Sequence, residues 1–282
     1  MNNSQMKNLK TTKDKKKKKY RFKIRRLKKL FTFVLIVTAV VLFVRSSLFI
    51  VDNINVTGNK KYQANEIILR SGLVTGQNVF KMLGEKPKNL LTLRFGDREE
   101  AVSTSMPYIS SISIRPSLPK SIKIKVTERT PFCILDNKGT SLLIDKQGYA
   151  LEVLTNQNEI KKYFKIIGNS LDSFKLGQEV KFKNKDTLDD LMSFCNALTK
   201  NDKDTKPKLY PKLTAVNMSD PGAVTAVFEN RVTVKFGDMN DINDSDYKIG
   251  FFRKLFVNNI TAKQKGTLDF TTGKSPFFAP AE

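Results

Sequence analysis

The 282-residue chain has no histidine, no tryptophan and only two cysteines. Without histidine there is no Ser-His-Asp triad, no Cys-His dyad, no His-ligated zinc and no imidazole base. Two cysteines cannot make a four-cysteine metal site or a disulfide framework. Acidic residues are few beside basic ones, 27 against 50, for a formal charge of +23. What is present suffices for a folded protein. Hydrophobic residues make up 40% of the chain, enough to bury a core, and the length allows one to three domains at roughly 100–200 residues each.

The charge is concentrated at one end. Residues 1–29 hold fourteen Lys or Arg and one acid, Asp14, which leaves only +10 for the remainder of the chain. The run from Lys15 to Lys19 repels itself and stays solvated, so residues 1–24 are expected to be disordered. Leu30 to Val44 follows without a charge, and after Arg45 the stretch Ser46 to Val51 is again uncharged. Fifteen residues reach only about 22 Å at ~1.5 Å each, short of a hydrocarbon core of ~30 Å. A helix continued to about Ile50 would cross it, with Arg45 snorkelling to the headgroups, and the expected span is 30–50. A cleaved signal peptide fits less well, because Ala39 is the one alanine of the stretch. A buried core helix also fits less well, because the stretch is apolar on every face. The cationic flank keeps residues 1–29 on the cytoplasmic side and sends the rest outward. So placed, the basic tail is read as a topogenic element in contact with anionic lipid rather than as a nucleic-acid binder; only Tyr20 and Phe22 accompany the cations.

The outer part alternates between strand and helix patterns and is α+β in class. Phe49 to Thr57 reads as a strand closed by the turn Gly58-Asn59, and Ala64 to Ser71 as a helix stopped by Gly72. Gly76 to Phe80 is a second turn, and Lys81 to Gly96 is broken by Gly84, Pro87 and Gly96. Asp97 to Ser105 resembles a helix with Asp97 as N-cap. Ile109 to Arg115 and Ser121 to Thr127 alternate as a hairpin around Pro116 to Pro119. Residues 49–128 thus form a β-α-α-β-β unit. Beyond it the expected strands are Phe132 to Leu135, Ser141 to Ile144, Tyr149 to Val153, Phe164 to Ile167, Leu213 to Met218, Ala223 to Glu229, Arg231 to Phe236 and Gly266 to Thr271. Helices are expected over 185–199, with Leu188, Leu191, Met192 and Cys195 on one face, and over 245–259, with Ile249, Phe252, Leu255 and Phe256.

Several motifs point to one family. They are Val56-Thr57-Gly58-Asn59, the pattern Ser71 to Gly76, and the apolar alternation from Pro107 to Pro131 with Val126, Glu128, Arg129 and Pro131 at its end. Together with a single N-terminal span they resemble the POTRA module of the bacterial division protein family FtsQ/DivIB. Leu143 to Gly148, Ile166 to Gly168 and Gly177 resemble the family's later elements. The resemblance implies a basic tail (1–29), a membrane helix (30–50), a POTRA domain (51–128), a second domain with a largely antiparallel sheet (129–271) and a short C-terminal tail (272–282). Lys81 to Gly96 is longer than the family's usual linker.

No constellation for catalysis stands out, and neither a cofactor nor a metal is expected. Glu128, Asp145 and Glu152 have turn and strand positions that account for them, and Glu128-Arg129 reads as an ion pair or contact at the domain junction with Pro131. The cluster Asp238, Asn240, Asp241, Asn243, Asp244 and Asp246 departs from a calcium loop, since Ile242 takes a ligand position; it reads as a turn and helix cap. Cys133 and Cys195 read as buried small hydrophobes, with a disulfide between them left open. What remains is surface. Gly266, Thr267, Leu268, Asp269, Phe270 and Thr271 form a last strand whose edge can accept another chain, followed by Phe277 and Phe278. Either these two fold back on the domain or they meet a partner. The resemblance implies the latter, with FtsL and FtsB/DivIC as partners, septal peptidoglycan synthases nearby, and a non-enzymatic scaffold at the septum. Two rivals, another POTRA-bearing transport component and a membrane-tethered cell-wall enzyme, would call for tandem POTRA units or a barrel, and for a convergent set of acids, respectively.

Overall fold

A computed structural model describes residues 25–282 apart from 85, 138, 169–170, 172, 221–222, 239–241, 274 and 282. The disorder expected for 1–24 lies outside the described residues, as do Asn240 and Asp241 of the acidic cluster and the side chain of Asn243. The chain divides into two compact units. One contains Gln63–Glu99, Ser113–Lys125 and the residues up to Thr57; the other contains Gly58–Tyr62, Glu100–Ile112 and Val126–Glu282.

In the first unit, helix α1 covers Arg25–Val44, twenty residues with no part buried in the protein. Twenty residues rise about 30 Å, which matches the hydrocarbon thickness. The helix therefore gains its length at the start, where Lys28 and Lys29 can snorkel, and does not continue to Ile50 as expected. Its stop has a cause. The side-chain amide of Asn78 donates to the carbonyls of Val44 (3.0 Å) and Ser46 (3.2 Å), satisfying acceptors that the last turn leaves open. A 3-10 turn at Ser47–Phe49 follows, and the buried Phe49 meets Phe43 and Phe80 edge-on at 5.2 and 5.1 Å.

Strand β1 (Asn53–Thr57) thus starts later than Phe49. Helix α2 (Ala64–Ser71) ends at Gly72 in the left-handed conformation, as its pattern requires. Two short helices, α3 (Val79–Met82) and α4 (Pro87–Thr92), occupy the stretch that shows no clear period, and α4 closes on Leu93 at φ 47, ψ 53, a left-handed position unusual for a residue with a side chain. Helix α5 (Gly96–Ser105) begins one residue before Asp97, which sits in its first turn instead of capping it. The buried Glu99 accepts the backbone N–H of Ile114 (2.7 Å) and pairs with Arg94 (3.0 Å). Strands β2 (Ile109–Ser117) and β3 (Ser121–Glu128) complete a sheet of order β1-β3-β2, with β1 parallel to β3.

The second unit is built on a nine-stranded sheet. Its strands are β4 (Pro131–Asn137), β5 (Thr140–Asp145), β6 (Ala150–Leu154), β7 (Lys165–Ile167), β8 (Leu213–Asn217), β9 (Val224–Phe228), β10 (Val232–Gly237), β11 (Gly266–Asp269) and β12 (Phe278–Pro280), in the order β12-β11-β10-β9-β8-β7-β4-β5-β6. Antiparallel pairings outnumber parallel ones, which occur at β10-β11, β7-β8 and β4-β7. Helix α6 is the single turn Gln157–Ile160; α7 (Thr187–Asp202) and α8 (Ile242–Asn258) are longer. Leu191, Phe194, Ile249 and Phe252 of the two long helices share one core with Phe228 and Phe236 of the sheet. Alternation along β4 sends Cys133 and Leu135 to that core and Ile134 to a smaller cluster with Tyr108, Leu143 and Leu151. Both cysteines are free and buried; burial pushes the Cys195 thiol up to about 12 and that of Cys133 well above its ordinary value.

The long helices are tied together by charge. Arg253 of α8 donates to Asp202 (2.6 Å), to Asn201 (2.8 Å) and to the carbonyl of Pro207 (2.6 Å), while Asp202 also accepts the N–H groups of Leu209 and Tyr210. Both side chains are nearly buried, at 10% and 7% exposure. Replacing Arg253 by Ala strands the carboxylate in the core. The expected loss is about 3 kcal/mol of unfolding free energy, visible as a lower urea midpoint, with Lys in its place recovering part of it.

Candidate functional site

An open sheet has two rims, and the outer one here is β12. It pairs antiparallel with β11 through Gly266↔Pro280, Thr267↔Ala279 and Leu268↔Phe278. Strand β11 pairs on its other side with β10, Leu268 is fully buried, and the strand stops at Asp269. This corrects the expectation that Gly266 to Thr271 supply the free edge, and that 272–282 is a plain tail. The rim is the three residues Phe278, Ala279 and Pro280.

The local cause is Gly266. A β-carbon there would lie 2.3 Å from the carbonyl oxygen of Ala279 and 2.6 Å from the Phe278 ring, so only glycine lets the last strand close in. The N–H of Ala281 reaches the carbonyl of Lys265 at 2.8 Å. Strand alternation then turns the N–H and C=O of Phe278 and the C=O of Pro280 outward, and Pro280 has no N–H to offer. The two phenylalanines part company. Phe278 is half-buried against the main core, whereas Phe277 is 73% exposed. At the base of the rim Asp269 pairs with Lys235 (3.1 Å) and accepts from Thr271, whose hydroxyl, ahead of other causes, holds the carboxyl below its ordinary value. Phe270 lies stacked on Phe236 at 5.9 Å.

The other residues singled out from the sequence sit together elsewhere in the second unit. Glu128 and Arg129 do not pair with each other as expected, because consecutive residues of an extended chain face opposite ways. Glu128 accepts the backbone N–H groups of Lys60 (2.8 Å), Lys61 (2.7 Å) and Tyr62 (3.1 Å). Arg129 pairs with Asp145 at 2.8 Å, both nearly buried, and its guanidinium lies 3.4 Å from the centre of the Tyr149 ring. Pro131 opens β4 and, with Glu128, Arg129, Tyr108 and Tyr163, lines a cavity of about 440 Å³. Glu152 accepts from Lys61 (2.9 Å) and from the Tyr108 hydroxyl (2.8 Å). Burial raises the Glu152 carboxyl, but the two hydrogen bonds and the Lys61 charge outweigh it and hold the group below its ordinary value. Burial first, and Glu152 second, push the Tyr108 hydroxyl up. Among the described residues no group of three or more His, Cys, Asp or Glu is placed to hold a metal ion.

Residues 49–129 match the family model described as POTRA domain, FtsQ-type. The cell division protein DivIB of Clostridium acetobutylicum is 27% identical over 231 residues, covering 82% of this chain and 83% of its own. DivIB of Clostridium botulinum strain Hall is 25% identical over 266 residues, covering 93% of each chain. The cell division protein FtsQ of Corynebacterium glutamicum is 27% identical over 99 residues, 35% of this chain and 39% of its own. Residues 49–129 are thus an FtsQ-type POTRA domain, and the chain resembles DivIB and FtsQ cell division proteins, the two DivIB proteins over most of its length. With that match, the β-α-α-β-β reading of the first module stands as a POTRA domain in an α+β protein, and α1 stands as an apolar helix compatible with a single-pass anchor. The matched relatives are named as cell division proteins, not as enzymes. The motifs at Val56 to Asn59 and Ser71 to Gly76 are the legible signals; β12 escapes a reading of the sequence because three residues ending in proline carry no strand signature of their own.

Two outcomes test this geometry. Gly266→Ala should unseat β12 while leaving the main core folded, and hydrogen exchange at Thr267 and Ala281 should then speed up at least tenfold, about 1.4 kcal/mol of lost protection. The depressed Glu152 carboxyl contributes stability that is present above its unfolded value of about 4.3 and lost as pH falls through the lower folded value. Acid unfolding followed by circular dichroism should therefore be less steep in Glu152→Gln than in the parent chain.

Proposed function

We propose that this protein is a membrane-anchored scaffold of cell division whose β12 rim recruits a partner by strand addition. On this reading α1 spans the membrane with the basic tail in the cytoplasm, in contact with anionic lipid, and both compact units lie outside. The division role is supported by the FtsQ-type POTRA match and by similar proteins that carry that role in their names. The recruiting mechanism rests on one observation. The ladder of nine strands ends at β12, beside a largely exposed phenylalanine. An incoming extended segment would take the outward N–H and C=O of Phe278 and seat an apolar side chain against Phe277, main-chain bonds giving affinity and the ring giving selectivity. Pro280 withholds a donor, so the rim admits a partner over a short register and discourages indefinite stacking of copies. The partners proposed are the small coiled-coil division proteins FtsL and FtsB/DivIC, with septal peptidoglycan synthases coordinated through them and the protein concentrated at the septum. The domain limits proposed are 51–128 and, with β12 included, 129–280, with Glu128, Arg129 and Pro131 at the junction.

The test separates rim from core. Truncation after Ala262 would also remove Leu268 from the core, so the better stop follows Gly273, which keeps β11 and deletes β12. That shortened chain should remain folded and membrane-bound yet lose the coiled-coil partners on co-purification, and Phe277→Asp in the full chain should weaken capture about tenfold or more. Undiminished capture by both variants would sink the assignment.

A further inference from the structure

We infer that the α3–α4 segment of the first unit lies in the headgroup layer of the same bilayer that α1 crosses, as a second, interfacial contact with lipid. The inference rests on the reading that α1 spans the membrane. Three observations carry it. The first is exposure. Leu90, Leu91 and Leu93 are 43%, 85% and 39% exposed, three large apolar side chains within four residues. Scattered surface leucines need no explanation, but a cluster facing outward marks a contact surface. Leu93 strengthens the point, because it holds a left-handed C-cap position at φ 47 that glycine would occupy without strain. A leucine stands here where the backbone conformation favours glycine.

The second observation is place. Asn78, the residue whose amide caps α1 at Val44 and Ser46, is also the N-cap of α3, its side-chain oxygen accepting the N–H of Phe80 at 3.0 Å. Helix α3 has four residues, about 6 Å of rise. At its far end the carbonyl of Leu83 accepts from the buried side chain of Asn89 in α4 (3.2 Å). Two hydrogen bonds and one helical turn therefore separate the end of α1 from α4, a path on the order of 10–15 Å. The headgroup layer that begins where the hydrocarbon core stops is roughly 5–8 Å deep on each side, so a path of this length running partly along the surface ends within or at that layer. Asn89 fixes the inner side of α4, leaving Leu90 and Leu91 to the outer side.

The third observation is charge. Residues 81–94 contain Lys81, Lys86, Lys88 and Arg94 against a single acid. Lys81 and Lys88 are exposed, and Lys86 and Arg94 are held at the edge of the segment by Asp97 and Glu99. Apolar side chains on one side with lysines around them is the composition of a segment lying in the plane of an anionic membrane surface.

The full-length protein, reconstituted into vesicles of phosphatidylethanolamine and phosphatidylglycerol, provides the test. Single cysteines are introduced at Leu91→Cys, at Val37→Cys within α1 and at Lys123→Cys on β3, then labelled on the folded protein with an environment-sensitive fluorophore. The native Cys133 and Cys195 are buried, and labelling of the parent protein reports their background. Nitroxide-bearing lipids should quench most of the emission at positions 37 and 91 and little at 123, with the label at 91 shifted to the blue. Quenching at 37 with an aqueous, unquenched label at 91 would overturn the inference and leave the spanning helix intact. Equal quenching at 91 and 123 would also overturn it, as general adhesion to the vesicle. An unquenched label at 37 would remove the spanning reading and this inference with it.

Discussion

The second unit depends on a hydrogen-bonded ladder that does not close. Eight strand pairings run from β12 to β6, so each interior strand has a hydrogen-bonded neighbour on both sides. A closed barrel would have no rim; this sheet has two. At the β6 end the first residues are covered by the neighbouring chain, since Ala150 donates to Gln178 (2.9 Å) and accepts from Gly177 (2.7 Å), and Val180 donates to Gly148 (2.9 Å). At the β12 end the covering strand is three residues long. The sheet's burial follows from the same arrangement. Around β4 both faces are covered, which is why Phe132 to Leu135 is a continuous apolar run rather than an alternating one.

Much of this can be read from the residues alone where the signal is local. Helix α2 with Gly72, the alternation of Ile122, Ile124 and Val126, and the apolar faces of α7 and α8 each follow from periodicity and a cap. The departures share a different origin: most are decided by a residue far away in the chain. The end of α1 is set by Asn78, thirty-four positions beyond Val44. The fate of Glu128 is set by three N–H groups at Lys60 to Tyr62, and that of Arg129 by Asp145. Strand β12 exists because Gly266 admits it. Helices α3 and α4 are too short for any period to show, and Leu93 breaks the rule that a helix ends on glycine.

Several of the shifted titratable groups have structural explanations. Glu152 with Tyr108, and Glu229 between Lys212 and Arg231, are held by neighbours that satisfy them. Their shifts are the signature of structural pairing. Exposed reactivity is lacking in the cysteines too, since both thiols are buried and pushed upward in pKa, away from the thiolate that would react.

The cap that Asn78 places on α1 has a mechanical consequence. A module joined to its anchor by a loose tether would swivel freely and absorb any tug as slack. Here the amide bridge and the edge-on rings of Phe43, Phe49 and Phe80 clasp the anchor to the first module within a few residues of the helix end. Helix α1 behaves as a mast rather than a leash, so a pull or twist exerted on that module is delivered as torque along the helix.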